Sequence, residues 1–106
     1  GRMYIKYANA RLEKILSNPR LINKHYGKRA TKLQIRLSEL HAAECLGSIT
    51  YKPPPRKRKL DHDKNGYWGI DISKNWRIVI EPIGDFDSED LNTIKAVRIV
   101  SIEDYH

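Results

Sequence analysis

Trp68-Gly69-Ile70-Asp71-Ile72-Ser73-Lys74-Asn75-Trp76-Arg77-Ile78-Val79-Ile80-Glu81 is the stretch that decides the fold. Two runs alternate between apolar and polar or small residues, and a short polar segment separates them. A period of two puts every second side chain on the same face of a strand. The first run, Tyr67 to Ile72, turns Trp68, Ile70 and Ile72 one way. The second, Trp76 to Glu81, turns Trp76, Ile78 and Ile80 into the core and sends Arg77 to the opposite face with Val79 and Glu81. Ser73-Lys74-Asn75 is short enough to join them as an antiparallel hairpin. Both tryptophans fall in register with the isoleucines and so belong to the core. Tyr51 and Tyr67 are the better candidates for stacking on a base.

Reading outward, Asp85 to Asn92 is an acidic loop and Ala96-Val97-Arg98-Ile99-Val100-Ser101-Ile102 is the last strand. Upstream, Asp63-Lys64-Asn65-Gly66 reads as a turn. Pro53-Pro54-Pro55 should be an extended polyproline segment, and it leads into the basic run Arg56-Lys57-Arg58-Lys59. Lys28 to Cys45 carries the strongest helix signal. There Leu33, Leu37 and Leu40 mark a buried stripe, while Lys28, Lys32 and Arg36 stack four apart as a basic ridge. Gly47 is its expected C-cap. Asn18-Pro19 starts a short helix that stops near Gly27, preceded by a helical segment from Ala10 to Leu16. Met3 to Tyr7 reads as an edge strand. The layout is α+β: an N-terminal strand, then two to three helices packed on one face of a twisted, mainly antiparallel sheet of three to five strands. It forms one domain over residues 3–106, with Gly1-Arg2 reading as a cloning remnant ahead of Met3.

The chain has 106 residues and a formal net charge of +7, which suits a partner rich in phosphate. The lone cysteine, Cys45, cannot form an internal disulfide and fits a reducing cytoplasm. No apolar run approaches the ~18 residues of a membrane span, so a soluble cytoplasmic protein is expected. His25, His41 and His62 are scattered without the paired spacing of a zinc site. No phosphate-cradling glycine loop is present. Neither metal nor cofactor is expected.

Asp104-Tyr105-His106 follows the last strand directly, so a carboxylate, a phenol and an imidazole share one sheet end. Such groups can hold and move protons. Arg77, on the non-core face of the strand expected alongside, could stabilise the charge of a phosphodiester while the histidine moves the proton. RNA brings its own nucleophile, the 2′-hydroxyl, so this chemistry works without a metal. The competing reading of Arg77 is a surface pairing with Glu81 or Asp71.

Several segments together resemble HigB-type toxins of the RelE/ParE toxin–antitoxin superfamily. They are Gly27-Lys28-Arg29 opening a leucine-periodic helix, Gly66-Tyr67-Trp68, Asn75-Trp76-Arg77-Ile78, Glu81-Pro82, and the terminal Ile102-Glu103-Asp104-Tyr105-His106. The resemblance runs from about Met3 to His106. It implies a RelE-like fold and a ribosome-dependent endoribonuclease that cleaves mRNA, held inactive in a heteromeric complex with a HigA-type helix-turn-helix antitoxin. It assigns His106 as general base, Tyr105 as an acid or orienting group, Asp104 as the residue positioning the histidine, and Arg77 as the transition-state partner. Arg56, Lys57, Arg58, Lys59 and Lys64 would track the RNA or ribosomal RNA backbone.

The pattern departs from the family's at one place. Where the family carries His-x-Leu-Lys-Gly-Asp, this chain has Arg58-Lys59-Leu60-Asp61-His62-Asp63. Arg58 takes the position of a catalytic histidine and Asp61 that of a lysine, leaving His62 as a candidate substitute acid or base. An arginine stays protonated and cannot serve as an ordinary general acid. The rival reading is non-catalytic: a ParE-like inhibitor of DNA gyrase, or a basic domain kept as antitoxin ligand.

Overall fold

The structure is a computed structural model that describes residues 1–61 and 66–105. Five strands form a single sheet: β1 (Tyr4–Tyr7), β2 (Arg58–Lys59), β3 (Trp68–Asp71), β4 (Trp76–Pro82) and β5 (Ala96–Asp104), in the order β1-β5-β4-β3-β2. β1 lies parallel to β5, and every other pairing is antiparallel. Between β1 and β2 run α1 (Ala10–Leu16), α2 (Pro19–Tyr26) and α3 (Ala30–Ala42). The expected α+β architecture is therefore present, with the first strand of the chain annealed to the last.

Local chemistry explains the helix starts. The Asn9 side chain accepts from the Leu12 N–H and caps α1. Asn18 accepts from Arg20 N–H ahead of Pro19, which has no N–H to satisfy at the first helical position. Gly27 closes α2 at φ 53, a left-handed conformation that glycine adopts without steric cost. A short 3-10 turn, Gly27–Arg29, leads into α3, whose Leu33, Leu37 and Leu40 are buried as the spacing required.

Three expectations need correction. The long helix ends at Ala42 and is capped by Ala43, not Gly47, because a tertiary contact stops it: the Ala43 carbonyl accepts from Met3 N–H at 2.7 Å, tying the helix end to the chain's start. Gly47 instead sits in a 3-10 turn where a Cβ would collide with the Asn92 side chain. The basic ridge breaks at Arg36, which is buried and donates to the Asp71 carbonyl and to Glu39. The three prolines form a compact turn rather than an extended segment: Arg56 N–H bonds back to Lys52 C=O and Lys57 N–H to Thr50 C=O.

Ile70, Ile72, Ile78, Ile80, Val97 and Ile99 pack with the helices in one core cluster, and Trp68 and Trp76 lie against it. The alternation is interrupted once. Val79 pairs with Ser101 and Ile80 with Ile99, so Val100 is an extra residue, a β-bulge in β5. The bulge turns Ile102 inward opposite Ile78 and Glu103 outward opposite Arg77. Without it, simple alternation from Val97 and Ile99 would have aimed residue 103 and then Tyr105 at the helices.

Candidate functional site

On the outer face of the sheet, away from the helices, register lines up two rows of side chains. Arg58, Gly69, Val79 and Ser101 form one, and Asp71, Arg77 and Glu103 the next. The second row alternates in charge, which is the favourable arrangement for direct cross-strand neighbours. Gly69 leaves room at the centre: a Cβ there would meet Leu60 at 3.2 Å and the Arg77 stem at 3.4 Å. Leu60 and Val79 are buried in this face, so it has a small apolar floor of its own.

Tyr105 follows β5, its backbone N–H held by the Asn75 carbonyl at 2.8 Å. Its ring is in contact with two guanidiniums. Arg58 and Arg77 each stand with Cζ 4.7 Å from the ring centroid, within cation–π range. The phenol accepts from Arg56 Nη2 at 3.1 Å and donates to Asp71 Oδ1 at 3.1 Å. Asp71 also accepts from Arg56 Nε at 2.6 Å and from Arg58 Nη1 at 3.1 Å. The Asp71 carboxylate, and then the Tyr105 hydroxyl, push the Arg56 guanidinium above its ordinary range. Arg77 donates to Glu103 Oε1 through Nη2 at 2.8 Å and Nε at 3.3 Å, and Glu103 also accepts from Ser101. The arrangement is a phenol ringed by three arginines and two carboxylates. It can bind an anion and place a hydroxyl proton beside it.

The basic run does not act as one unit. Arg56, at φ 43 in the turn ahead of β2, and Arg58, in β2, both reach Tyr105 on the outer face. Lys57 and Lys59 fall on the other. Lys57 is buried, donating from Nζ to the Leu46 carbonyl at 2.9 Å and lying 5.9 Å from the Trp68 ring centroid. Its expected role in RNA binding is corrected by that burial, which also lowers its pKa. Lys59 is exposed at the sheet edge, opposite Trp68.

Arg77 is where the alternation put it, but its partner is Glu103 and neither Glu81 nor Asp71. Glu81 pairs with Arg98 instead. Asp104 is exposed and pairs across the sheet with Trp76, on the face opposite Tyr105, so the two neighbours do not converge. His62, Lys64 and His106 lie outside the described residues. Asp71 and Glu103 had no place among the expected site residues. The hairpin register could have found Asp71, since a three-residue connection sets it against Arg77 with little freedom. Among the described residues no group of three histidine, cysteine or acidic side chains is placed to hold a metal ion, and no helix is long and apolar enough to cross a membrane.

No protein-family model matches the chain, and no curated protein does. Solved structures do. The YoeB/ParE toxin from Agrobacterium tumefaciens superposes with a TM-score of 0.59 at 10% identity, covering 98% of this chain and 100% of its own. A chain of the YoeB–YefM complex from Staphylococcus aureus gives 0.53 at 16% identity over 100% and 99%. YafQ from E. coli gives 0.56 at 15% identity over 96% and 92%. At such identities the likeness is one of fold: this chain has the RelE-like fold of these toxins.

Proposed function

We propose that the chain is the toxin of a type II toxin–antitoxin module, a ribosome-dependent endoribonuclease of HigB type that cuts mRNA and is restrained by a HigA-type antitoxin. The observation that carries this reading is the Tyr105 ring in contact with both Arg58 and Arg77, with Arg56 at its hydroxyl. Among the neighbours of the fold, one is named a toxin and another was solved as a toxin–antitoxin complex. The reaction balances with the chain's own residues. His106, next after Tyr105 in sequence, takes the proton of the RNA 2′-hydroxyl. The O2′–P bond forms as the P–O5′ bond breaks, and Tyr105 turns its hydroxyl proton from Asp71 to the leaving 5′-oxygen. Arg77, Arg56 and Arg58 offset the charge that builds on phosphorus oxygens. The products are a 2′,3′-cyclic phosphate and a 5′-hydroxyl.

One observation favours the non-catalytic alternative of a gyrase inhibitor or antitoxin-binding domain: Asp71 and Glu103 already engage the arginines. The two readings separate on one experiment. Induced in cells, the nuclease should arrest translation and leave messages with new 5′-hydroxyl ends. Tyr105→Phe and His106→Gln, each folded, should slow cleavage by about 10²–10⁴-fold. Growth arrest with intact messages and DNA damage would establish the gyrase reading in its place.

A further inference from the structure

Asp71 is a buried carboxylate in a site expected to receive an anion, and that conflict calls for a reason. Its backbone already secures the local structure. The Asp71 N–H donates to the Pro55 carbonyl at 2.7 Å, and its carbonyl accepts from Arg36 Nε at 3.1 Å. The side chain is therefore not needed to tether the loop that brings in Arg56. It points instead at three groups of the site: Arg56, Arg58 and the Tyr105 hydroxyl. Two guanidiniums converging on one phenol repel each other, and a carboxylate shared between them removes that repulsion. The shared carboxylate also fixes the hydroxyl, because Tyr105 donates to Asp71 while accepting from Arg56.

We propose that Asp71 is the positioning residue of this site, holding the Tyr105 hydroxyl and the Arg56 and Arg58 guanidiniums in one fixed arrangement that receives an RNA phosphodiester from the solvent side. The inference rests on the nuclease reading for its consequence in catalysis. A guanidinium has five N–H donors. Arg58 gives one to Asp71, and Arg56 gives one to Asp71 and one to Tyr105, so each keeps donors for a phosphate. Exposure runs the same way: the Arg56 side chain is 46% exposed and that of Arg58 26%, against 10% for Asp71. The arginines reach solvent and their organiser lies beneath them. Asp71 thus works through its partners and does not touch the substrate.

The test compares Asp71→Asn and Asp71→Glu with the full chain. Tyrosines labelled with ¹³C at Cζ report the phenol directly, with the Tyr105 signal assigned by its loss in Tyr105→Phe. In folded Asp71→Asn the Tyr105 signal should shift and broaden. Its kcat for RNA should fall by about 10²-fold, the usual consequence of misplacing a reacting group, while KM holds within about twofold because the phosphate-facing donors remain. Asp71→Glu, which keeps the charge but moves it by one methylene, should give an intermediate kcat. An unmoved Tyr105 signal, an unchanged kcat, or a loss confined to KM would overturn the proposal. If Asp71→Asn does not fold, Asp71→Glu carries the same reading through its own signal and kcat. Should the unaltered protein cleave no RNA, the nuclease reading falls. The Tyr105 signal alone then decides Asp71: displacement upholds its positioning role, and an unmoved signal refutes it.

Discussion

On the helix-covered face of the sheet, Ile70, Ile78, Ile80 and Ile99 meet the helices with essentially no exposure to water. On the other face the same strands present Asp71, Arg77 and Glu103, each bonded to a charged neighbour. Ile78 and Arg77 are adjacent in β4, yet one is fixed by close packing and the other by directed hydrogen bonds. Apolar packing is non-directional, so it tolerates many sequences and secures the fold. The charged face gains little net stability from its pairs, since desolvation offsets much of their attraction. What it gains is geometry. A sheet that stabilises through one face can carry chemistry on the other.

Substituting the two neighbours separates these roles and should give the largest effects. Ile78→Ala, which leaves a cavity in a close-packed core, should lower unfolding free energy by about 2–5 kcal/mol in denaturant titration. Arg77→Ala should cost less in folding but slow cleavage by about 10²–10³-fold, as when one transition-state donor is removed. Arg77→Lys should recover only part of that, because an ammonium lacks the planar fork. A large stability loss in Arg77→Ala with cleavage intact would erase the distinction between the faces.

The two faces also differ in how well the sequence announces them. The core face was readable, because burial imposes a period of two on β3 and β4 and that period is local. The place of Arg77 on the outer face of β4, and of Tyr105 at the end of β5, was readable for the same reason. The rest was not, for physical reasons. Glu103 reaches Arg77 only because the bulge at Val100 shifts β5 by one residue, and no local pattern in Ala96 to Ile102 marks it. Four cationic residues in a row look alike until the turn at Arg56, with its positive φ, and the start of β2 bring Arg56 and Arg58 to Tyr105 and bury Lys57 against the Leu46 carbonyl. The end of α3 is set by Met3, forty residues upstream, rather than by the glycine that follows.

Lys57 tests whether a cation drawn onto the packed face behaves as part of it. Removing its side chain leaves the Leu46 carbonyl without this donor, so Lys57→Met should cost about 1–3 kcal/mol of stability. Its pH dependence has a definite sign. Burial lowers the folded pKa, so between that value and the unfolded ~10.4 the unfolded chain binds more protons, and stability rises with pH. The neutral amine still donates to the carbonyl. The gap between the unaltered protein and Lys57→Met should therefore widen as pH is raised towards 10 in thermal unfolding. A gap that narrows would mean that Lys57 is held by its charge rather than despite it.

Lys59 should show the smallest effect, and it is the sharpest check on how the basic run is divided. It neighbours Arg58 in sequence, but its pairing with Trp68 places it on the helix side of the sheet edge. Arg56, on the outer face beside Tyr105, is the reference. Each phosphate contact to single-stranded nucleic acid contributes about 0.7 to the slope of log affinity against log salt. Arg56→Gln should flatten that slope for RNA binding by about this amount, whereas Lys59→Ala should leave it unchanged and alter stability by no more than about 0.5 kcal/mol. An equal flattening by both would show that RNA wraps the sheet edge, so that nucleic-acid contact is not confined to the outer face.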